Sequence, residues 1–201
     1  MPRYIYPPRP LTKIKPEQLG SMEKEDKYLW QPKFDGDRCV TSIQGGSVFL
    51  GNRHAKWHSP HAYPQIRQEV LGLNLPDGNH YLDGELVSFN NEAVLVLFDV
   101  LQIKSYLIGV NQAARISILE GLIKGGRPHP EVPATKMSEH LWIADHGYGD
   151  FDSNYSDFIT NPLLEGLVLR KTESVLDNWG ASEYEVDWQI RCRRPHKNYR
   201  F

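Results

Sequence analysis

Cysteine is scarce in this chain. Only Cys39 and Cys192 occur among 201 residues, and their separation fits neither a metal knuckle nor a redox pair. A disulfide scaffold is excluded, and each cysteine reads as a free buried thiol, as expected in a reducing compartment. Long apolar runs are missing too. No stretch approaches the ~20 apolar residues of a membrane span, and Met1 to Pro8 holds no apolar signal core. The expectation is a soluble, cytoplasmic protein with no membrane contact. Net charge is small: 23 Lys+Arg against 25 Asp+Glu leave −2. Nothing therefore draws the whole molecule to nucleic acid, and such binding would have to come from local patches. Repeats, low-complexity tracts and an obvious linker are also absent. What remains is 40% hydrophobic and 24% charged, the balance of one ordinary globular domain with a proper core. A monomer is expected.

Residues 1–27 read as an extended, proline-rich arm (Pro2, Pro7, Pro8, Pro10, Pro16) followed by a short helix that opens at Pro16 and stops near Gly20. Tyr28–Phe34 reads as a strand, Asp35-Gly36 as a turn and Arg38–Ile43 as the returning strand. Gln44-Gly45-Gly46-Ser47 is a hairpin turn into Val48–Leu50. Tyr63–Leu71 has helical spacing, and Tyr81–Val87 reads as a strand after the turn at Pro76–Asn79. Ala93–Leu101 is an apolar run broken only by Asp99, which suits a central strand buried on both faces. A helix is expected over Gln112–Lys124, a strand near Ala134–Met137, and then a helix or irregular lid up to Asn161-Pro162. Glu165–Lys171 and Tyr184–Arg193 read as the last strands. Residues 195–201 complete a basic end in which Arg191, Arg193, Arg194, Lys197 and Arg200 meet no acid. The fold class is α+β, with antiparallel sheets flanked by helices.

Several short segments share a pattern, a charged residue beside glycine or at the end of an apolar strand. They are Lys33–Arg38, Asn52-Arg53, Asp83-Gly84-Glu85-Leu86, Phe98-Asp99, Glu165–Arg170 and Trp188–Arg193. Each alone is an unremarkable surface charge. Gathered in one cleft they would do chemistry. A lysine near arginines would have its ammonium disfavoured, leaving free amine as a nucleophile. Glu85 and Glu165 would hold a hard divalent cation such as Mg²⁺ (or Mn²⁺) through oxygen ligands. Arginines would clamp phosphates, and Phe98 would be a platform for a base. Together these suggest nucleotidyl transfer to lysine. The histidines His54, His58, His61 and His80 fit no closed zinc site and read as surface groups.

These segments resemble the motifs of the covalent nucleotidyltransferase superfamily, the ATP-dependent DNA and RNA ligases and mRNA capping enzymes. Lys-x-Asp-Gly-x-Arg is matched in full by Lys33 to Arg38, and the other segments follow in the family's order. The resemblance covers about residues 28–194, an adenylyltransferase domain. It implies a ligase-type nucleotidyltransferase (ATP-grasp-like) fold with the nucleotide in a cleft between the sheets. It implies that Lys33 attacks the α-phosphate of ATP to form lysine–AMP. AMP then passes to a 5′-phosphate, and a 3′-hydroxyl displaces it to seal a nick. By the same resemblance Arg38 contacts the ribose or phosphates, and Arg53 the nucleotide or the 5′-phosphate. Glu85 contacts ribose or metal, Phe98 stacks on the base, and Glu165 binds metal. Gln31, two residues before the lysine, reads adenine, its amide accepting from N6 and donating to N1. The partner implied is nicked duplex nucleic acid, and the settings are DNA repair and replication.

The sequence departs from the family in two places. Where the family has Lys-x-Lys, this chain has Arg191-Cys192-Arg193, which keeps the charge and phosphate grip with a different geometry. The OB-fold domain that usually follows is not in this sequence, which implies a minimal enzyme, a fragment, or a protein partner acting in trans. DNA is favoured over RNA because Lys-x-Asp-Gly-x-Arg resembles the DNA-ligase form. An RNA ligase is the alternative, followed by a capping-type guanylyltransferase or a non-catalytic nucleic-acid-binding relic. Tyr199 and Phe201, interleaved with the basic end, suit contact with a phosphate backbone.

Overall fold

The computed structural model describes residues 1–122 and 125–195. The expected end of the third helix at Ile123 and Lys124, and the tail residues Lys197, Tyr199, Arg200 and Phe201, lie outside the described residues.

The chain order is β1 (Arg9–Ile14), a single 3-10 turn (Pro16–Gln18), α1 (Leu19–Glu23), β2 (Tyr28–Phe34), β3 (Asp37–Gln44), β4 (Ser47–Asn52), α2 (Pro64–Leu71), β5 (His80–Phe89), β6 (Glu92–Ile103) and β7 (Ser105–Tyr106). It continues through α3 (Gln112–Gly121), β8 (Arg127–Pro128), β9 (Ala134–Lys136), β10 (Leu141–Ala144), α4 (Phe151–Phe158), β11 (Leu164–Lys171) and β12 (Glu185–Arg193). The strands form two sheets. The smaller runs β1-β12-β11-β2. The larger runs β4-β3-β5-β6-β10-β9-β8, with β7 on β6. The fold is α+β as expected, and both sheets are mixed. β1 runs parallel to β12, and β10 parallel to β6, while the other pairs are antiparallel.

Period-two alternation decides which face of the small sheet meets the cleft. Leu167, Leu169, Ile190 and Cys192 turn into the apolar cluster with Leu19 of α1 and Phe151, Tyr155 and Phe158 of α4. Gln31, Lys33, Val168, Arg170, Gln189, Arg191 and Arg193 consequently face the other way. In β6 the same alternation sends Val94 and Val96 to that cluster. Leu95 and Leu97 go to a second one, under Ile66 and Val70 of α2 and Leu119 of α3. This strand is buried on both faces, as its apolar run, broken only by Asp99, required.

Three segments differ from expectation. The proline-rich arm contributes a strand, because residues 9–14 alternate exposed and partly buried, ending on the buried Ile14, and pair with β12. The short helix runs through Gly20 to Glu23, since Leu19 is fully buried and anchors it. Residues 138–160 hold a buried strand and a helix where a helix or irregular lid was expected. β10 (Leu-Trp-Ile-Ala) is buried at every position, so it shows no period at all, and α4 packs on β11. Among the described residues no helix is long and apolar enough to cross a membrane.

Candidate active site

A cleft of about 310 Å³ lies between the two sheets, and it gathers every residue singled out from the sequence: Gln31, Lys33, Arg38, Arg53, Glu85, Phe98, Glu165, Arg191 and Arg193. Two tight glycines shape the part of the cleft around Lys33 and Glu165. A Cβ at Gly36 would overlap the Leu86 carbonyl oxygen, so the Asp35-Gly36 turn can lie against β5 only without a side chain. Gly166 has φ +140° and would drive a Cβ into the Cys192 carbonyl oxygen. The register of β11 against β2 shifts between Leu164 and Gly166, and Glu165 stands at that irregularity facing Lys33.

The Lys33 ammonium is ion-paired with Glu165, and each side chain is 22% exposed. Arginines were expected to crowd the lysine, but its ionic contact is a carboxylate. Arg193 reaches the same Glu165 oxygen at 3.8 Å, and Arg194 pairs with Asp35 at 3.6 Å. Burial pushes the Glu165 carboxyl up, yet Lys33, Arg193 and Arg194 together hold it below the ordinary carboxylate range. Glu85 goes the other way. Burial lifts it to about 7, against the pull of Lys33 and Arg38 and with repulsion from Asp83 and Glu165. Two carboxylates with opposite shifts thus flank one lysine, a pattern common in functional sites.

The surroundings of Gln31 and Phe98 are built differently. Gln31 is 2% exposed. Its Nε2 donates to the Phe98 carbonyl oxygen at 3.0 Å, while its Oε1 is buried with no hydrogen-bond partner among the described residues. The Phe98 carbonyl therefore fixes which way the amide faces. The guanidinium carbons of Arg38 and Arg170 each lie 5.3 Å from the Phe98 ring centroid, within cation–π range. Arg38 is itself held by Asp83, with Nε to Oδ1 at 2.6 Å and a second bond to Oδ2, and it donates to the Pro8 carbonyl at 3.2 Å. Arg53 sits at the rim, exposed, bonding to His54.

A buried network behind Phe98 had no place in the sequence reading. Asp99 accepts from Arg115 Nε at 2.9 Å and from Arg170 at 2.9 Å, and Arg115 also donates to Gln112 at 2.6 Å. All four side chains are buried. Two signals pointed to it: Asp99 is the one charge inside the apolar run of β6, and Arg170 ends the Glu165 segment. The arm was missed as well, since Tyr4, Tyr6 and Arg9 line the cleft.

No protein-family profile matches the sequence, and no curated protein matches it either. Solved structures do. The ligase domain of LigD from M. tuberculosis is 19% identical with a TM-score of 0.60, over 82% of this chain and 52% of that one. A mycobacterial DNA ligase D complexed with ATP and MES is 17% identical with a TM-score of 0.57, over 83% and 54%. The structure Pmar-Lig_Pre is 17% identical with a TM-score of 0.66, over 94% and 47%. The chain thus has the ligase-type nucleotidyltransferase fold and spans about half the length of these structures.

Proposed function

We propose that this protein is an ATP-dependent polynucleotide ligase that works through a covalent lysine–AMP, with DNA preferred over RNA. The observation that carries the proposal is the Lys33–Glu165 ion pair in a cleft that Gln31, two residues back along β2, and Phe98 also line. That spacing suits a nucleotide lying with its phosphates at the lysine and its base on the ring. The bound ATP of the mycobacterial ligase D structure supports the same nucleotide here.

Lys33 must first leave its pair with Glu165, the carboxylate placed to take a proton from it. The free amine attacks the α-phosphorus. A P–N bond forms, the bond to the bridging oxygen breaks, and pyrophosphate leaves with the electron pair. Arg191 and Arg193 face the phosphate end and would offset the charge that builds there. AMP is then passed to a 5′-phosphate, and a 3′-hydroxyl attacks the activated phosphate and releases AMP.

Glu85 and Glu165 fit a divalent cation such as Mg²⁺. Glu85 is a carboxylate that burial keeps near neutrality, and a cation would relieve that penalty. No cluster of three or more His, Cys, Asp or Glu side chains suited to a metal occurs among the described residues. Such an ion would therefore take its remaining ligands from phosphate and water, as Mg²⁺ commonly does. When bound it would neutralise negative charge at the phosphates.

The test is incubation with α-labelled ATP or GTP and Mg²⁺, followed by denaturation. Label retained from ATP and lost in Lys33→Ala is expected. No label from either nucleotide would overturn the proposal. Sealing of nicked DNA in preference to nicked RNA or hybrids checks the substrate, and the reverse order would make it an RNA ligase.

A further inference from the structure

Gln189 lies on β12 facing the cleft, is 1% exposed, and has an amide nitrogen with no hydrogen-bond partner among the described residues. A buried amide left unpaired costs free energy comparable to a lost hydrogen bond, so its retention needs a reason. Gln31 presents the complementary vacancy, a buried carbonyl oxygen without a partner among the described residues, in the same cleft. Strand pairing places the two on the same face of the small sheet, on either side of β11. Val168 is the partner of both Gln31 and Arg191, and Gln189 stands one step further along β12, opposite Arg170. β2 and β12 are two strand spacings apart, about 9.5 Å. With the two-residue offset along β12 the two glutamines stand about 12 Å apart at the backbone, a gap that one flat heterocycle can span, with Val168 on the strand between them and Phe98 also lining the cleft.

We propose that Gln189 is a base-reading residue, donating to a ring nitrogen of the purine while Gln31 accepts from its exocyclic amine. This rests on the nucleotide-binding reading of the cleft and extends it to base selection. A 6-aminopurine satisfies both glutamines. A 6-oxopurine turns an oxygen towards the Gln31 oxygen, and guanine also carries a proton on N1. The Phe98 carbonyl already holds one N–H of Gln31, so the amide is kept from flipping to suit a 6-oxo group. Between them the glutamines favour ATP over GTP without any charged contact to the base.

The test measures equilibrium binding by calorimetry in a Lys33→Ala parent, which blocks covalent transfer. ATP, GTP and the 1-deaza, 3-deaza and 7-deaza analogues of ATP are titrated into the parent and into the same protein carrying Gln189→Leu. Gln189→Met is measured in parallel, and thermal melting confirms that each variant is folded. In the parent, one deaza analogue is expected to bind about 3- to 10-fold more weakly than ATP, the range of a single neutral hydrogen bond. That penalty disappears in both Gln189 variants, and the preference for ATP over GTP shrinks with it where the 1-deaza analogue is the weak one, since N3 and N7 accept in both purines. If all three analogues show the same penalties with and without Gln189, the assignment is overturned while nucleotide binding stands. A parent that binds neither ATP nor GTP overturns the nucleotide reading, and this assignment with it.

Discussion

Replacing Glu85 with glutamine keeps the side chain's shape and removes its titration. In the folded protein the Glu85 carboxyl is lifted from 4.5 to about 7, chiefly by burial. The native state therefore binds the proton more tightly than the unfolded chain does. Stability then falls as pH rises between about 4.5 and 7, because the native state holds more protons than the unfolded one in that window. Every tenfold gain in proton affinity is worth about 1.4 kcal/mol, so the whole effect approaches about 3.5 kcal/mol, of which about 2.5 kcal/mol develops between pH 5 and 8. Urea unfolding of wild type and Glu85→Gln at pH 5, 6, 7 and 8 in EDTA isolates this contribution, since every other titrating group is common to both. The variant is expected to gain on wild type by about 2–3 kcal/mol over that range. Adding Mg²⁺ at pH 8 should narrow the gap, because the variant keeps only one of the two carboxylates that would hold it. A stability difference that stays flat from pH 5 to 8 would refute the reasoning, for Glu85 would then titrate alike in the folded and unfolded chain.

Other outcomes follow from the same geometry. Asp99→Ala leaves Arg115 and Arg170 buried without their shared carboxylate, and a loss of about 3–5 kcal/mol is expected in denaturant unfolding. Gly166→Ala forces a Cβ into the Cys192 carbonyl at a backbone angle suited to glycine. A loss of about 2 kcal/mol or more in unfolding and a marked fall in self-labelling are expected, as Glu165 is displaced from Lys33. Lys33→Arg keeps the charge beside Glu165 but is not a competent nucleophile, so it should melt near wild type and take no label. Binding to nicked DNA, measured by anisotropy, should weaken about tenfold or more between 50 and 200 mM salt if several cleft arginines contact phosphates.

The candidate site was legible because each part of it is written locally. Lys33–Arg38 and the Glu165-Gly166 pair are short stretches in which glycine, charge and strand ends are adjacent in the chain, and their order could be compared with a family. The Asp99 network was not legible, because its members come from β6, α3 and β11 and only packing brings them together. β10 was invisible for a related reason. A short strand buried on both faces carries no alternation, and it joins the sheet parallel to β6 across about 40 residues of chain. Similarly, the proline content of the arm said "extended" but could not say that residues 9–14 would complete the small sheet.

The sequence by itself determined most of the strands that carry the candidate site, since period two is a local property of an extended chain. Only the tertiary structure decided partnership: that Lys33 meets Glu165 where arginines were expected, that Gln31 is pinned by the Phe98 carbonyl, and that Gln189 lines the same cleft from the far side of β11. Such contacts depend on sheet register and on desolvation, and neither is encoded in any one stretch. The burial that lifts Glu85 to about 7 is set by everything around the cleft at once.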